Sequence, residues 1–413
     1  VLRFFVKGEV LFAGFLFSSV FKAYFPFVPI DLTLLFLVMS LFAGIKRLLE
    51  NPYILKKAIS PITIYLLLVM LMITSLVYTL GEEYALSKTL TFATLTFWSF
   101  AGVFILIKNK ESLDLFMKGL LFYGLLTLGM VFINYISGDS SAFRVGVGAE
   151  GAGNVLGLGR LAGVVSIILI VGLFYRQSRL RNKAIVSTLI GISLFILVLT
   201  GSRMPFLALI ASLFLIPLFS IKINGGEVKI KKGLLLSVPI MPIVLFSIKP
   251  FIQKSDMFYR LTKFYESGGG GSVQSRTDMI KGSIEMWKQS PIAGNGIGSF
   301  PILYAGVDLK NRVYPHNIFA EFLSELGLIG FSLFLLLIII AGISVIGLFK
   351  RERNYMQISV VLILFFLILN ASSSGDFNDN RWLFCFIALT IMVPAYKTKG
   401  EIPDDFNHKE PAV

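Results

Sequence analysis

The chain has 413 residues, of which 55% are hydrophobic and 15% charged, with a mean hydropathy of +0.80. A soluble protein carries about 25% charged residues, so a water-soluble globular enzyme is excluded. The net charge of +14 comes without any soluble basic module, so it fits the basic inner loops of a membrane protein and argues against nucleic acid as a partner. One cysteine, Cys385, and two distant histidines, His316 and His408, leave no basis for an internal disulfide, a thiolate cluster or a zinc site.

Apolar runs of roughly 18 to 22 residues recur from end to end, each long enough to cross ~30 Å of hydrocarbon. Every backbone polar group in lipid must be paired within its segment, so these runs should be helices. In chain order, about twelve spans are expected, near 9–26, 30–46, 60–80, 88–107, 113–136, 156–175, 184–200, 204–221, 233–248, 317–349, 356–373 and 382–396. Arg3 and Lys7 lead straight into the first of them, so a cleavable signal peptide is not expected. The tenth is long enough to tilt or to begin outside the bilayer. The expected fold is therefore all-α and polytopic, a single membrane domain over 1–413.

Charge orients the spans. The connections Lys46–Lys57, Lys108–Lys110, Arg176–Lys183, Lys222–Lys232 and Lys350–Arg353 are basic. The alternate ones, Pro26–Asp31, Gly81–Leu86, Ser137–Val155 and Ser372–Asn380, are poor in base. The two sets alternate without a break if both termini are cytoplasmic. Residues 398–413 then form a disordered cytoplasmic tail.

The stretch 249–315 is a long loop of mixed polarity on the non-cytoplasmic side. Its bases Lys249, Lys254, Arg260, Lys263, Arg276, Lys281, Lys288, Lys310 and Arg312 outnumber its acids Asp256, Glu266, Asp278, Glu285 and Asp308. Long loops escape the positive-inside rule, so this excess has another cause, and an anionic ligand is the obvious one. A loop of this length is uncommon unless functional or disordered. Apolar spacing through Met279, Ile280, Ile284 and Trp287 predicts short amphipathic helices at the interface, after a flexible joint at Gly268–Gly271.

Several residues could carry chemistry. Arg203, in Thr200-Gly201-Ser202-Arg203, is either an interface anchor or a fixed cation facing a phosphate or carboxylate, with the turn's backbone N–H groups beside it. Arg276, in Gln274-Ser275-Arg276, is either a solvated loop arginine or a second cation on the same side, where guanidinium groups grip diphosphate oxygens. His316, in Tyr314-Pro315-His316-Asn317, sits where the long loop re-enters the membrane. An imidazole there is a candidate general base, with a packed interfacial histidine as the alternative. Glu321 and Glu325 follow on the same helix. Arg160 follows Asn154 within a glycine-rich stretch, which suits close helix packing better than a nucleotide fingerprint because no strand precedes it. Asp376 and Asp379, ahead of Arg381, suit a solvated turn better than a divalent-ion site.

These motifs together resemble the O-antigen ligase and O-antigen polymerase superfamily of bacterial envelopes. The resemblance rests on Gly201-Ser202-Arg203 closing a span, and on Arg276 followed by a helix and Pro291-Ile292-Ala293-Gly294-Asn295-Gly296-Ile297-Gly298-Ser299-Phe300. It rests also on His316-Asn317 followed by Glu325-Leu326-Gly327-Leu328-Ile329-Gly330. It implies a metal-independent membrane glycosyltransferase with no cofactor, acting at the periplasmic face of the bacterial inner membrane. The implied donor is a glycan on undecaprenyl diphosphate, and the acceptor is lipid A-core oligosaccharide for a ligase or another lipid-linked repeat for a polymerase. By motif match, His316 is the base, and Arg203 and Arg276 hold the diphosphate. Arg160, Asn154, Asn317 and Glu321 are expected to contact substrate. The His-Asn and Gly-x-x-Gly spacing favours ligase over polymerase. A transporter of lipid-linked glycan is the rival from another class, but two related halves and midplane charges are not evident in the sequence.

Overall fold

The computed structural model describes residues 2–25, 28–51, 58–138, 151–175, 180–224, 227–230, 270–306, 313–349 and 354–396. In chain order the helices are α1 (Leu2–Phe5), α2 (Gly8–Phe21), α3 (Leu32–Glu50), α4 (Ile59–Ser75) and α5 (Glu82–Leu106, with a π-helical turn at Phe92–Thr96). They continue as α6 (Lys110–Ile136), α7 (Gly151–Tyr175), α8 (Leu180–Leu199), α9 (Arg203–Leu213), α10 (Gly270–Gln289) and α11 (Phe300–Ala305). The last three are α12 (Ile318–Phe349), α13 (Tyr355–Ala371) and α14 (Arg381–Met392).

Six of these helices are long and apolar enough to cross a membrane: Leu32–Glu50, Glu82–Leu106, Lys110–Ile136, Val155–Tyr175, Arg181–Leu199 and Ile318–Phe349. Four shorter apolar helices accompany them, at Ile59–Ser75, Arg203–Phe219, Tyr355–Ala371 and Arg381–Met392. The expected count of about twelve spans is therefore not reached among the described residues. The first apolar run is a helix of only 14 residues, and the run at 233–248 lies outside the described residues. So do the tail at 398–413, residues 249–269 of the long loop, and its last charged stretch, 307–312.

One short element departs from an all-helical fold. Ile221–Asn224 (β1) and Glu227–Ile230 (β2) pair antiparallel, with Ile221 opposite Ile230 and Ile223 opposite Val228. The sequence alternates β-branched residues with lysine there, a strand period that reads as a plain basic connection when only charge is counted.

The buried centre is built from α2, α5, α7, α13 and α14. Phe12, Phe15, Phe17, Phe100, Phe104 and Phe384 are all essentially inaccessible. By contrast α3 exposes Leu34, Phe42, Ile45 and Leu49, and α12 exposes Ile339, Ile343 and Ile346. Aliphatic and aromatic exposure of this kind along one side of long helices suits contact with lipid tails.

Contacts sort the connections into two sets. At one end, Arg47 on α3 reaches Glu9 and the Leu106 carbonyl, Tyr396 reaches the Ile107 carbonyl, and Gln357 reaches the Val393 carbonyl. At the other end, Tyr78 donates to the Ala293 carbonyl, Thr79 to the Ile297 carbonyl, Asn317 to the Ser372 carbonyl, and Arg160 to the Ser374 and Asp379 carbonyls.

Candidate active site

The centre of this second end is a break in α12. Gly327 has φ 63° and ψ −162°, a combination open essentially to glycine alone. A regular helix would pair the carbonyls of Ser324 and Glu325 with the N–H groups of Leu328 and Ile329. All four groups are instead taken by the loop that follows α10. The N–H of Asn295 donates to the Ser324 carbonyl at 3.0 Å, and that of Gly296 to the Glu325 carbonyl at 2.9 Å. The N–H of Leu328 donates to the Pro291 carbonyl at 2.9 Å, and that of Ile329 to the Ile292 carbonyl at 3.3 Å. The loop is thus grafted into the helix, and backbone that would be costly to leave bare in lipid is fully paired.

This graft explains the glycines of the 291–298 segment. A Cβ on Gly294 would meet the Glu325 backbone at 2.4 Å, and one on Gly327 would meet the Ile292 carbonyl oxygen at 2.3 Å. Gly294, Gly296 and Gly298 all have positive φ, so their service is backbone approach and turning. The Asn295 side chain adds bonds to the Met286 and Ser324 carbonyls, tying the end of α10 to α12.

α10 itself corrects one expectation, the flexible joint at Gly268–Gly271. Gly270 and Gly271 are its first residues and so belong to a helix; nothing prevents a helix from starting in glycine when its later turns are packed. Its buried side runs through Ser283 and Met286, while Ile284 is exposed, and Gly282 lies against the Tyr304 ring of α11.

The candidate residues gather around Tyr314. The His316 ring lies 4.2 Å from the Tyr314 ring, centroid to centroid, tilted by 48°. His316 has a φ of 56°, an uncommon backbone region for a side-chain-bearing residue. Asn317 then caps α12: its Oδ1 accepts from the N–H groups of Phe319 and Ala320, each at 3.0 Å. With its amide donating to the Ser372 carbonyl, Asn317 is committed to holding the turn that presents His316.

The three arginines come from three other elements. Arg276, on α10, has its pKa lowered by burial and then by the nearby positive charge of Arg203, with Tyr314 opposing. Arg203 opens α9 after the turn at Gly201, whose φ is 62°. Ser202, at the helix start, makes no side-chain capping bond, so the first N–H groups of α9 are not taken by it. Arg160, on α7, is buried and lies within electrostatic reach of Asp379, Tyr314 and Asp376. α7 touches the Ser202 turn: a Cβ on Gly159 would sit 3.3 Å from the Ser202 Cβ. Arg160 and Arg276 are thus each within electrostatic reach of Tyr314, Arg276 also of Arg203, and the His316 ring lies against Tyr314.

Other candidates land elsewhere. Glu321 and Glu325 are fully buried and face Lys88 of α5, at 2.5 Å and 2.7 Å. Glu321 therefore belongs to an internal ion cluster, since only burial beside an ammonium makes a carboxylate tolerable there. Asn154 lies in the first turn of α7. Asp376 is buried, where a solvated turn was expected, and its Oδ1 accepts from the N–H groups of Asn378 and Asp379. Arg381 points into the core and donates to the Phe15 and Leu16 carbonyls. Among the described residues no group of three His, Cys, Asp or Glu could hold a metal ion.

Residues 188–335 match the family model for O-antigen ligase. The match supports the O-antigen ligase superfamily. It spans Arg203, Arg276, His316 and the whole graft at Gly327, and leaves Lys88, Arg160 and the 374–381 loop outside it. Members of this superfamily are membrane glycosyltransferase-like ligases and polymerases whose substrates are lipid-linked glycans in general. Together with the long apolar helices, it points to a multi-pass membrane protein. No curated protein matches the chain significantly. Sequence reasoning missed Lys88 and passed over Tyr314. Lys88 heads its apolar run and gave no signal beyond a span boundary, whereas a tyrosine two residues from His316 was visible for the second.

Proposed function

We propose that the chain is an O-antigen ligase, transferring glycan from undecaprenyl diphosphate to lipid A-core oligosaccharide at the periplasmic face of the inner membrane. The observation that carries this reading is the gathering of Arg160, Arg276 and His316 around Tyr314, with Arg203 within reach of Arg276, inside a chain matched to the O-antigen ligase family.

In the proposed reaction the acceptor hydroxyl loses its proton to the His316 imidazole and attacks the anomeric carbon of the donor. The bond from that carbon to the diphosphate oxygen breaks, and undecaprenyl diphosphate leaves. Configuration inverts, since the buried carboxylates Glu321 and Glu325 are held by Lys88 and out of reach as nucleophiles. Arg203 and Arg276 stabilise the charge that develops on the leaving oxygen, with the positive end of α9 beside them. Two guanidinium groups that repel each other when empty gain most from a dianion placed between them. Arg160, already bonded to the 374–379 backbone, lends charge from behind.

The test uses purified chain, undecaprenyl-diphosphate oligosaccharide and lipid A-core, with and without EDTA. Wild type should modify lipid A-core equally in both, and His316→Ala should be slower by ~10²–10⁴-fold. Longer lipid-linked chains as the only product would make the protein a polymerase. An active His316→Ala enzyme would remove the base assignment, and labelled lipid crossing the bilayer without transfer would favour a transporter.

A further inference from the structure

Apart from Arg203 on α9, the proposed site is built on three arms: α10 with Arg276, the His316 turn with α12, and the 374–380 loop bonded to Arg160. One fully buried side chain touches the last two and is joined through Glu325 to the loop that follows the first. Lys88 enters from α5, and its Nζ lies 2.5 Å from Glu321 Oε1 and 2.7 Å from Glu325 Oε2. The same Glu325 Oε2 accepts from the N–H of Gly298 at 2.9 Å, which is the end of the grafted loop. The Lys88 ammonium stands 4.5 Å above the Phe377 ring, and its backbone carbonyl accepts from the Asn378 amide at 3.4 Å. Tyr84, one turn earlier on α5, closes the cluster with its ring 5.6 Å from the ammonium.

Such a cluster is an expensive way to obtain stability. A buried ion pair is commonly matched or bettered by well-packed apolar side chains, while it fixes one arrangement against all others. Its members here are placed where an arrangement matters. Glu325 joins the graft twice, by its main-chain carbonyl to Gly296 and by its side chain to Gly298. Sliding or tilting α10 relative to α12 would break the loop pairing and the Glu325–Gly298 bond together, and Lys88 holds that Glu325 carboxylate in place. The height of Arg276 relative to His316 is thereby locked by groups that touch neither.

We infer that Lys88, acting through Glu325 and with Glu321 as its second carboxylate, is a positioning residue for glycan transfer: it fixes the Arg276 helix and the Phe377–Asn378 loop against the His316 helix. The inference rests on the transfer reading above.

The full chain in lipid nanodiscs provides the test, with Lys88→Met and Glu325→Gln compared against Glu9→Gln. Glu9 is a good control because it is also a buried carboxylate bound to a cation, Arg47, at 2.7 Å, but at the other end of the helices. Two readouts are taken: transfer kinetics, and amide hydrogen exchange across 291–298. Lys88→Met and Glu325→Gln should lower kcat ~10- to 100-fold with the donor KM within ~3-fold, and should speed exchange in 291–298. Glu9→Gln should speed exchange around α2 and α3 and leave kcat of the folded protein unchanged. If Lys88→Met does not fold, Glu325→Gln decides, since its amide oxygen still accepts from Gly298. An unchanged kcat in folded Glu325→Gln, or an equal loss in Glu9→Gln, overturns the inference. If wild type transfers no glycan, the transfer reading fails by itself, and unchanged exchange at 291–298 in Glu325→Gln would still overturn the locking role.

Discussion

At the scale of single residues, Arg276 is the most exacting position. Burial and the charge of Arg203 both disfavour its cationic form, and a guanidinium tolerates this because its ordinary pKa is so high. A lysine would not be so protected. In Arg276→Lys the same burial and the same repulsion lower the ammonium pKa from its ordinary value. The charged form, which holds the donor in the proposed reaction, is present below that lowered pKa and is lost as pH rises through it. The donor KM of Arg276→Lys should therefore climb toward alkaline pH while that of wild type stays level, as initial rates across a pH series will show; parallel profiles would mean that Arg276 does not meet the diphosphate. His316 was legible in the sequence because it stands almost alone. Lys88 was not, because the apolar run begins beside it and a lysine at the head of a span reads as its boundary. The helix in fact starts at Glu82, which carries Lys88 inward.

At the scale of elements, the helices themselves were largely legible, since apolar runs of this length have few other solutions in lipid. The break in α12 was not. Its glycines were visible, but which backbone they meet depends on a partner segment some 30 residues earlier in the chain, and no local period reports that. Gly327 is the test of the element. Any side chain there meets the Ile292 carbonyl and a backbone region that costs on the order of 1–3 kcal/mol even without the clash. Gly327→Ala should lower the thermal midpoint of the purified protein by at least that margin and remove transfer activity. A variant as stable as wild type would mean that α12 can close into a regular helix without its graft.

At the scale of the whole molecule, the two sets of end contacts divide the connections as the alternation of charge in the sequence does. Arg47 meets Leu106, just before Lys108–Lys110, at one end, and Gly81 and Ser372 meet Gly298 and Asn317 at the other. This arrangement can be checked directly because the native thiol, Cys385, is buried. Lys108 and Ser137 are both exposed and flank α6. A membrane-impermeant thiol reagent added to intact spheroplasts should label Ser137→Cys and spare Lys108→Cys, with both labelled after lysis. The reverse pattern would put the arginines and His316 in the cytoplasm and end the periplasmic reading.

The graft also sets an order of assembly. Pro291–Gly298 leaves the ribosome before α12 does, and Lys88 well before either. When Ser324 to Ile329 emerge, the strand that pairs with them and the cation that neutralises Glu321 and Glu325 already exist. Until they meet, α12 holds two carboxylates and an open rung of backbone that no bilayer accepts. The second half of the proposed site can therefore settle in the membrane only by finding the first, and a chain that failed to bring its Arg276 arm into place would fail to finish its His316 arm as well.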